Sequence, residues 1–177
     1  VISAETMNTQ NKQLQLNVGF IAQGDIGYSR EFLFDCPTLF IQPDLQLSGL
    51  KGTLAVSRTS EGLLFQGAFR ANIHATCCRC LTSFHQNLST DFAELYTFQS
   101  HAQDDTELIY PEDGHIDLGP IVREYLLLEF PINPICKEDC QGLCPTCGKN
   151  LNQEICDHRS DPIDPRMSVL KKLLDND

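Results

Sequence analysis

The chain has 177 residues, of which 41% are apolar and nine are cysteine, and its 24 acidic residues against 13 basic ones give a formal charge of −11. That length sets one main domain as the prior, with room for a small appendage that buries too little to fold alone. No apolar run is long enough to span a membrane, no leader is visible in VISAETMNTQNKQ, and the acid excess repels polyanions unless the bases gather on one face.

The chain begins at Val1 and its first methionine is Met7, which leaves the natural start open. Leu14, Leu16, Val18 and Phe20 alternate with other residues, the period-two pattern of a half-buried strand. Phe32 with Phe34, and Leu45 with Leu47, repeat it after intervals holding Gly24, Gly27, Pro37 and Pro43. Leu54 and Val56 lead into the turn SRTSEG, and Leu63, Phe65, Phe69, Ala71, Ile73 and Ala75 form the second arm of a hairpin. Phe84 and Leu88 predict a further strand, while Phe92, Leu95 and Phe98 leave the element type open. The class implied is α+β, built on a twisted antiparallel sheet or a partly closed β-barrel.

Residues 99–117 carry six acids (Asp104, Asp105, Glu107, Glu112, Asp113, Asp117) and no lysine or arginine, which predicts an exposed loop. It is either a solvated connection or an acidic docking surface for a basic partner. Asp117 is placed to cap a helix near 118–129, with Pro120 in its first turn and an apolar side of Ile121, Val122, Tyr125 and Leu126. Pro131 and Pro134 end it. The chain finishes with DPRMSVLKKLLDND, where Asp164 caps, Pro165 opens, and Met167, Leu170, Leu173 and Leu174 make a short amphipathic helix. The expected division is a β-rich domain over 1–135 and a cysteine-rich tail over 136–177 packed on it.

Cys144-Pro-Thr-Cys147-Gly148 has the spacing of a zinc knuckle: two intervening residues turn both sulfurs toward one ion, and glycine permits the tight backbone that follows. Cys136 with Cys140 forms a second pair, Cys156 with His158 a third, and Cys77 with Cys80 a fourth. Eight donors match two structural zinc ions of four ligands each. One partition puts Cys144, Cys147, Cys156 and His158 on one ion, and Cys77, Cys80, Cys136 and Cys140 on the other. The alternative uses Cys136, Cys140, Cys144 and Cys147 for a single ion and leaves the rest as thiols. Spacing alone does not decide between them. Cys36 and Cys78 read as small buried hydrophobes or free thiols.

An odd cysteine count without a secretory leader points to a reducing, cytoplasmic setting, where paired cysteines hold metal more often than they form bridges. A thioredoxin-type redox pair lacks its βαβ surroundings here. An iron–sulfur cluster is a lesser alternative, and a catalytic zinc would leave one coordination position for water. Glu138, Asp139 and Glu154 lie near the knuckles in sequence. His74, His85, His101 and His115 have no metal spacing between them. No phosphate-cradling glycine motif or nucleophile elbow occurs.

The order of features, strands, then CxRCL within TCCRCL (Cys78 to Leu81), an acidic loop, an IDL-to-Pro helix, CxxxCxGLCPxCGxNLN and DPR, resembles the YceD family, from about Leu14 onward. Cys77, Cys80, Cys136, Cys140, Cys144, Cys147 and Cys156 fall on cysteine positions of that pattern, and His158 stands where a final cysteine is expected. The resemblance implies a non-enzymatic factor in large ribosomal subunit biogenesis and ribosomal RNA accumulation. The rival reading is a zinc enzyme or thiol oxidoreductase; a third is an interaction module unrelated to ribosomes. Neither a membrane nor a small-molecule substrate is expected as partner. The last forty-two residues hold six bases and eight acids, against seven and sixteen in the rest, so the tail repels RNA least. Basic ribosomal proteins are the favoured contact over bare RNA.

Overall fold

The structure, a computed structural model, describes residues 14–99 and 108–158. A short strand β1 (Gln15–Asn17) and a single-turn helix α1 (Gly19–Ala22) come first. Four long strands follow: β2 (Ser29–Ile41), β3 (Leu45–Arg58), β4 (Gly62–Thr76) and β5 (Ser83–Thr97). Then come β6 (His115–Asp117) and the helix α2 (Gly119–Leu128). The long strands form an antiparallel meander in the order β2-β3-β4-β5, and β1 pairs antiparallel with β6. The hairpin expected around SRTSEG is β3–β4, with Val56 opposite Phe65 and Arg58 opposite Leu63. Thr59 holds its turn, the hydroxyl accepting the Gly62 N–H at 3.1 Å.

Alternation sends every second side chain to one face, and that face is covered by α2 against β5 and β2 and by α1 against β3 and β4. Leu54, Val56, Leu63 and Phe65 are fully buried there, each contributing roughly 1.5–3 kcal/mol by leaving water. A row of rings crosses the core from sheet to helix: Phe34, Phe69, Phe92 and Tyr125, with successive centroids 5.5, 5.9 and 5.1 Å apart. Glycines make room for it. A Cβ on Gly67 would lie 2.7 Å from the Phe92 ring, and one on Gly52 2.4 Å from the Phe69 ring. The opposite face, which carries Leu33, Lys51, Arg70 and Asn87, is exposed.

The antiparallel sheet of an α+β chain is observed, and the partly closed barrel is not: β2 and β5 are edge strands with no pairing between them. α2 ties the two edges instead. The Arg123 guanidinium lies 2.7 Å from Asp44 in the β2–β3 turn, and the Tyr125 hydroxyl donates to Glu94 on β5.

Four local expectations change. The strand read over Leu14–Phe20 stops at Asn17, because the Asn17 side-chain oxygen accepts the Gly19 N–H at 3.1 Å and the Val18 carbonyl accepts that of Ala22, starting α1. Phe20 is consequently 47% exposed. Phe84 through Leu95 lie on one continuous strand, β5, with Phe98 just beyond it. Asp117 is the last residue of β6 rather than the helix cap, although its carboxylate accepts the Gly119 N–H at 2.8 Å. The far end of the acidic run is fastened, Thr97 exchanging hydrogen bonds with Leu108 and Tyr110 at 2.7 and 2.9 Å. Glu112 and Asp113 are exposed. Asp104, Asp105, Glu107, His101, Met7 and the helix expected from Asp164 to Leu174 lie outside the described residues. Among the described residues no helix is long and apolar enough to cross a membrane.

Candidate metal centre

The turn between β4 and β5 carries Cys77 and Cys80, and the chain leaving α2 brings Cys136 and Cys140 onto it. Three hydrogen bonds to backbone carbonyls make that approach. The Cys78 N–H donates to the Pro134 carbonyl at 2.9 Å, the Leu143 N–H donates to the Arg79 carbonyl at 3.1 Å, and the Arg79 guanidinium reaches the Cys140 carbonyl at 3.3 Å. The four sulfurs then lie within 4.8 Å of one another. Cys77 Sγ is 3.8 Å from Cys140 Sγ, and Cys80 Sγ is 3.6 Å from Cys136 Sγ. These are not disulfides; all nine cysteines are free. Thiolates about 2.3 Å from a tetrahedral zinc sit roughly 3.8 Å apart, so the spacing fits one ion at the centre. Cys77, Cys80 and Cys140 are buried, beside Phe84 and Ile135.

The second group is Cys144, Cys147, Cys156 and His158, whose donor atoms also lie within 4.8 Å of one another. Cys144 is buried, whereas Cys147 and His158 are exposed. Its loop is closed by a Leu143–Asn150 bridge and by the Cys144 N–H donating to the Lys149 carbonyl at 2.8 Å.

The two CxxC turns share one backbone form. In each, the residue after the second cysteine has positive φ: Gly148 at 73° and Leu81 at 58°. Backbone N–H groups then point at the first sulfur. Burial pushes the Cys77 thiol up, but the N–H groups of Cys80, Cys136 and Arg79 outweigh it and bring it down to about 6. The N–H groups of Cys147 and Thr146 bring Cys144 down to about 6 in the same way. Cys136 moves oppositely, up to about 12, through burial and through the crowding sulfurs of Cys80, Cys140 and Cys77. Sulfurs gathered this tightly resist becoming thiolates together unless a cation lies between them.

Three polar residues that the spacing argument missed join the two groups. Asn152, between Cys147 and Cys156, donates to Cys140 Sγ at 3.4 Å and to Asn150 Oδ1 at 2.8 Å. Its own side-chain oxygen accepts the Gln141 N–H at 2.9 Å, and Asn150 donates to the Thr82 hydroxyl at 3.2 Å. The NLN at 150–152 was part of the sequence pattern, but a pair of asparagines announces no target. Two of the three acids near the knuckles are engaged elsewhere, Asp139 with Lys137 at 3.6 Å and Glu154 with Lys149 at 2.9 Å. Cys36 is buried on β2, where desolvation pushes its thiol up, and Cys78 is exposed. His74 and His85 stand directly opposite each other on β4 and β5, and His115 lies apart on β6.

Fold and donor sets together define a class: an open antiparallel sheet whose β4–β5 turn meets a cysteine-rich tail in one group of four donors, the tail holding a second group of four within itself. The chain belongs to the YceD family, whose model, described as large ribosomal RNA subunit accumulation protein YceD, matches residues 65–174. The match thus starts inside β4, later than the onset at Leu14 expected from the sequence. Rv2926c of Mycobacterium tuberculosis is 36% identical over 125 residues, covering 68% of this chain and 60% of that protein. YlbN of Bacillus subtilis is 34% identical over 121 residues, covering 67% of this chain and 70% of YlbN. A chloroplastic Zea mays protein named large ribosomal RNA subunit accumulation protein YCED homolog 1 is 41% identical over 49 residues, 27% of this chain and 17% of its own length. The chain therefore spans about 60% of the length of the mycobacterial relative. No solved structure matches it.

Proposed function

We propose that this protein is a non-enzymatic factor of large ribosomal subunit biogenesis, acting in the cytoplasm, with two structural zinc ions as its only cofactors. The observation that carries the reading is the pair of four-donor groups, each with its donor atoms within 4.8 Å of one another, in a chain of the YceD family. Cys77, Cys80, Cys136 and Cys140 hold one ion; Cys144, Cys147, Cys156 and His158 hold the other. Four protein donors fill a tetrahedral zinc and leave no position for an attacking water, which favours stiffening over catalysis. The ion on Cys77, Cys80, Cys136 and Cys140 fastens the tail over 136–177 to the sheet domain over 1–135, a long closure whose entropy metal binding offsets, while the other ion closes a local loop within the tail. The partner is a large-subunit precursor. With a charge of −11, the protein's exposed acids, Glu112 and Asp113 among them, suit basic ribosomal proteins better than bare RNA.

Affinity capture of the full chain from its native cell, followed by identification of bound RNA and protein, tests this. Large-subunit precursor particles are the expected catch; their absence under gentle, low-salt conditions would contradict it.

A further inference from the structure

The acid excess is not spread evenly over the sheet. From the row in which Lys51 faces Arg70, toward the Cys77 turn, the strand segments 36–41, 45–50, 71–76 and 83–88 contain no aspartate or glutamate. On the exposed face of this half, cross-strand pairing lines up Arg70 with Ser89, Asn72 with Asn87 and His74 with His85. Ser48 lies beside Asn72, and Lys51 beside Arg70.

The sheet is also hollowed here. Its register slips between Ser48 and Lys51, where Gly49 takes a φ of 62° and the chain bulges. Bulges of this kind bend a strand and re-aim its side chains. The result is a concavity of about 470 Å³ lined by Lys51, Arg70, Asn72, Asn87 and Ser89, with no carboxylate in its wall. A second, smaller hollow continues toward the turn between His74, His85, Gln46 and Ser48. Among the described residues Arg70 has no carboxylate at ion-pair distance, and the partner of Lys51, Asp35, is held at 3.3 Å in an exposed bridge. Such a bridge is worth little and exchanges readily for another anion. On their other side Lys51 and Arg70 also line an adjoining hollow of about 490 Å³ that holds Asp35 and Asp91, so the two cations mark the boundary between the acid-free half and the acidic one.

From this we infer that the acid-free half of the outer sheet face binds the phosphodiester backbone of single-stranded RNA, with Lys51 and Arg70 on phosphates and Asn72, Asn87, His74 and His85 on phosphate and sugar oxygens. Hydroxyl, amide and guanidinium donors of this kind grip the backbone without reading bases. The seven strand residues from Arg70 to Thr76 extend on the order of 20 Å along the face. The choice of RNA as the polyanion rests on the ribosomal reading above. A molecule that repels polyanions overall thus presents one surface that does not.

The test is fluorescence anisotropy of a labelled single-stranded RNA of about 20 nucleotides with the zinc-loaded full chain. Two cations on phosphates give a salt slope of about −1.4, so that affinity falls about sevenfold between about 50 and 200 mM salt. Lys51→Ala with Arg70→Ala is expected to weaken binding at least tenfold and flatten the slope. Asn87→Asp, which removes no cation, is expected to weaken it severalfold by placing a carboxylate in the hollow. All three positions are exposed or half-buried, and circular dichroism checks that the variants fold. No binding at about 50 mM salt, equal binding by the double variant, or loss confined to Lys137→Ala with Lys149→Ala in the tail would each overturn the assignment. The capture experiment reads out independently of these, so precursor recovery without RNA binding would sink this inference alone.

Discussion

The side-chain amide of Asn152 donates to the sulfur of Cys140 at 3.4 Å, so a residue in the loop of one donor group holds a donor of the other. The two groups are thereby one unit rather than two independent knuckles. Asn152→Ala removes this contact together with those to Asn150 and the Gln141 N–H. Outer-shell partners of metal ligands typically carry a factor of about 10 to 100 in metal affinity. The variant is expected to lose zinc from the Cys77–Cys140 group about tenfold more readily, followed by competition with a chromophoric chelator. Unchanged release from both groups would mean that they do not communicate through this amide.

Leu81 occupies the position that Gly148 holds in the companion knuckle. With φ at 58° it carries the left-handed penalty of about 1–2 kcal/mol, and its side chain is 63% exposed. Glycine would relieve that penalty at a chain-entropy cost of about 0.5–1 kcal/mol. Leu81→Gly is therefore expected to be neutral or slightly stabilising in denaturant unfolding, whereas Leu81→Val, branched at Cβ, is expected to destabilise.

The row of core rings depends on the glycines beneath it. Gly67→Ala forces Phe92 and Phe69 apart in a filled core, because its Cβ would come within 2.8 Å of both. A loss of about 1–3 kcal/mol is expected from such overpacking. A midpoint shift in urea at unchanged slope would show it.

Alkaline pH acts through Tyr96. Burial, with Glu94 and Asp117 nearby, pushes its hydroxyl up to about 12 from an ordinary value of 10.0. A raised value means that the folded state holds the proton more tightly, so this contribution is complete below pH 10 and is lost as the pH climbs through 12. Tyr96→Phe should unfold with a shallower pH dependence over that window than the parent chain. Equal slopes would mean the hydroxyl is not retained in its buried setting.

What the sequence reveals depends on how local the determinant is. Cys144-Pro-Thr-Cys147-Gly148 announces itself, since two residues of spacing and one glycine settle the turn. The β3–β4 hairpin is equally plain, because Leu54, Val56, Leu63 and Phe65 alternate on either side of a turn. β5 is harder to see: the polar Gln86, Thr90 and Glu94 take inward positions and interrupt its apolar pattern, and only pairing along the whole of β4 makes it one strand. Open sheet or barrel was not decidable from strand patterns, because the answer lies in α2 reaching Asp44 and Glu94. The strain at Leu81 was hidden for a similar reason, since spacing shows where sulfurs sit but not the dihedral of the residue that follows. Asn152 was hidden because its partner lies in another loop, and Lys51 with Arg70 because their meeting depends on register.

The most direct test of the two-ion clasp is zinc content with X-ray absorption on the full chain purified without chelators. Two zinc ions per chain are expected, sharing seven sulfurs and one imidazole nitrogen between them. Cys77→Ser and Cys147→Ser should each cost one ion, and Cys36→Ala should cost none. A single zinc with four sulfurs that persists in Cys77→Ser, or a chain free of metal with all its thiols reactive, would contradict the clasp.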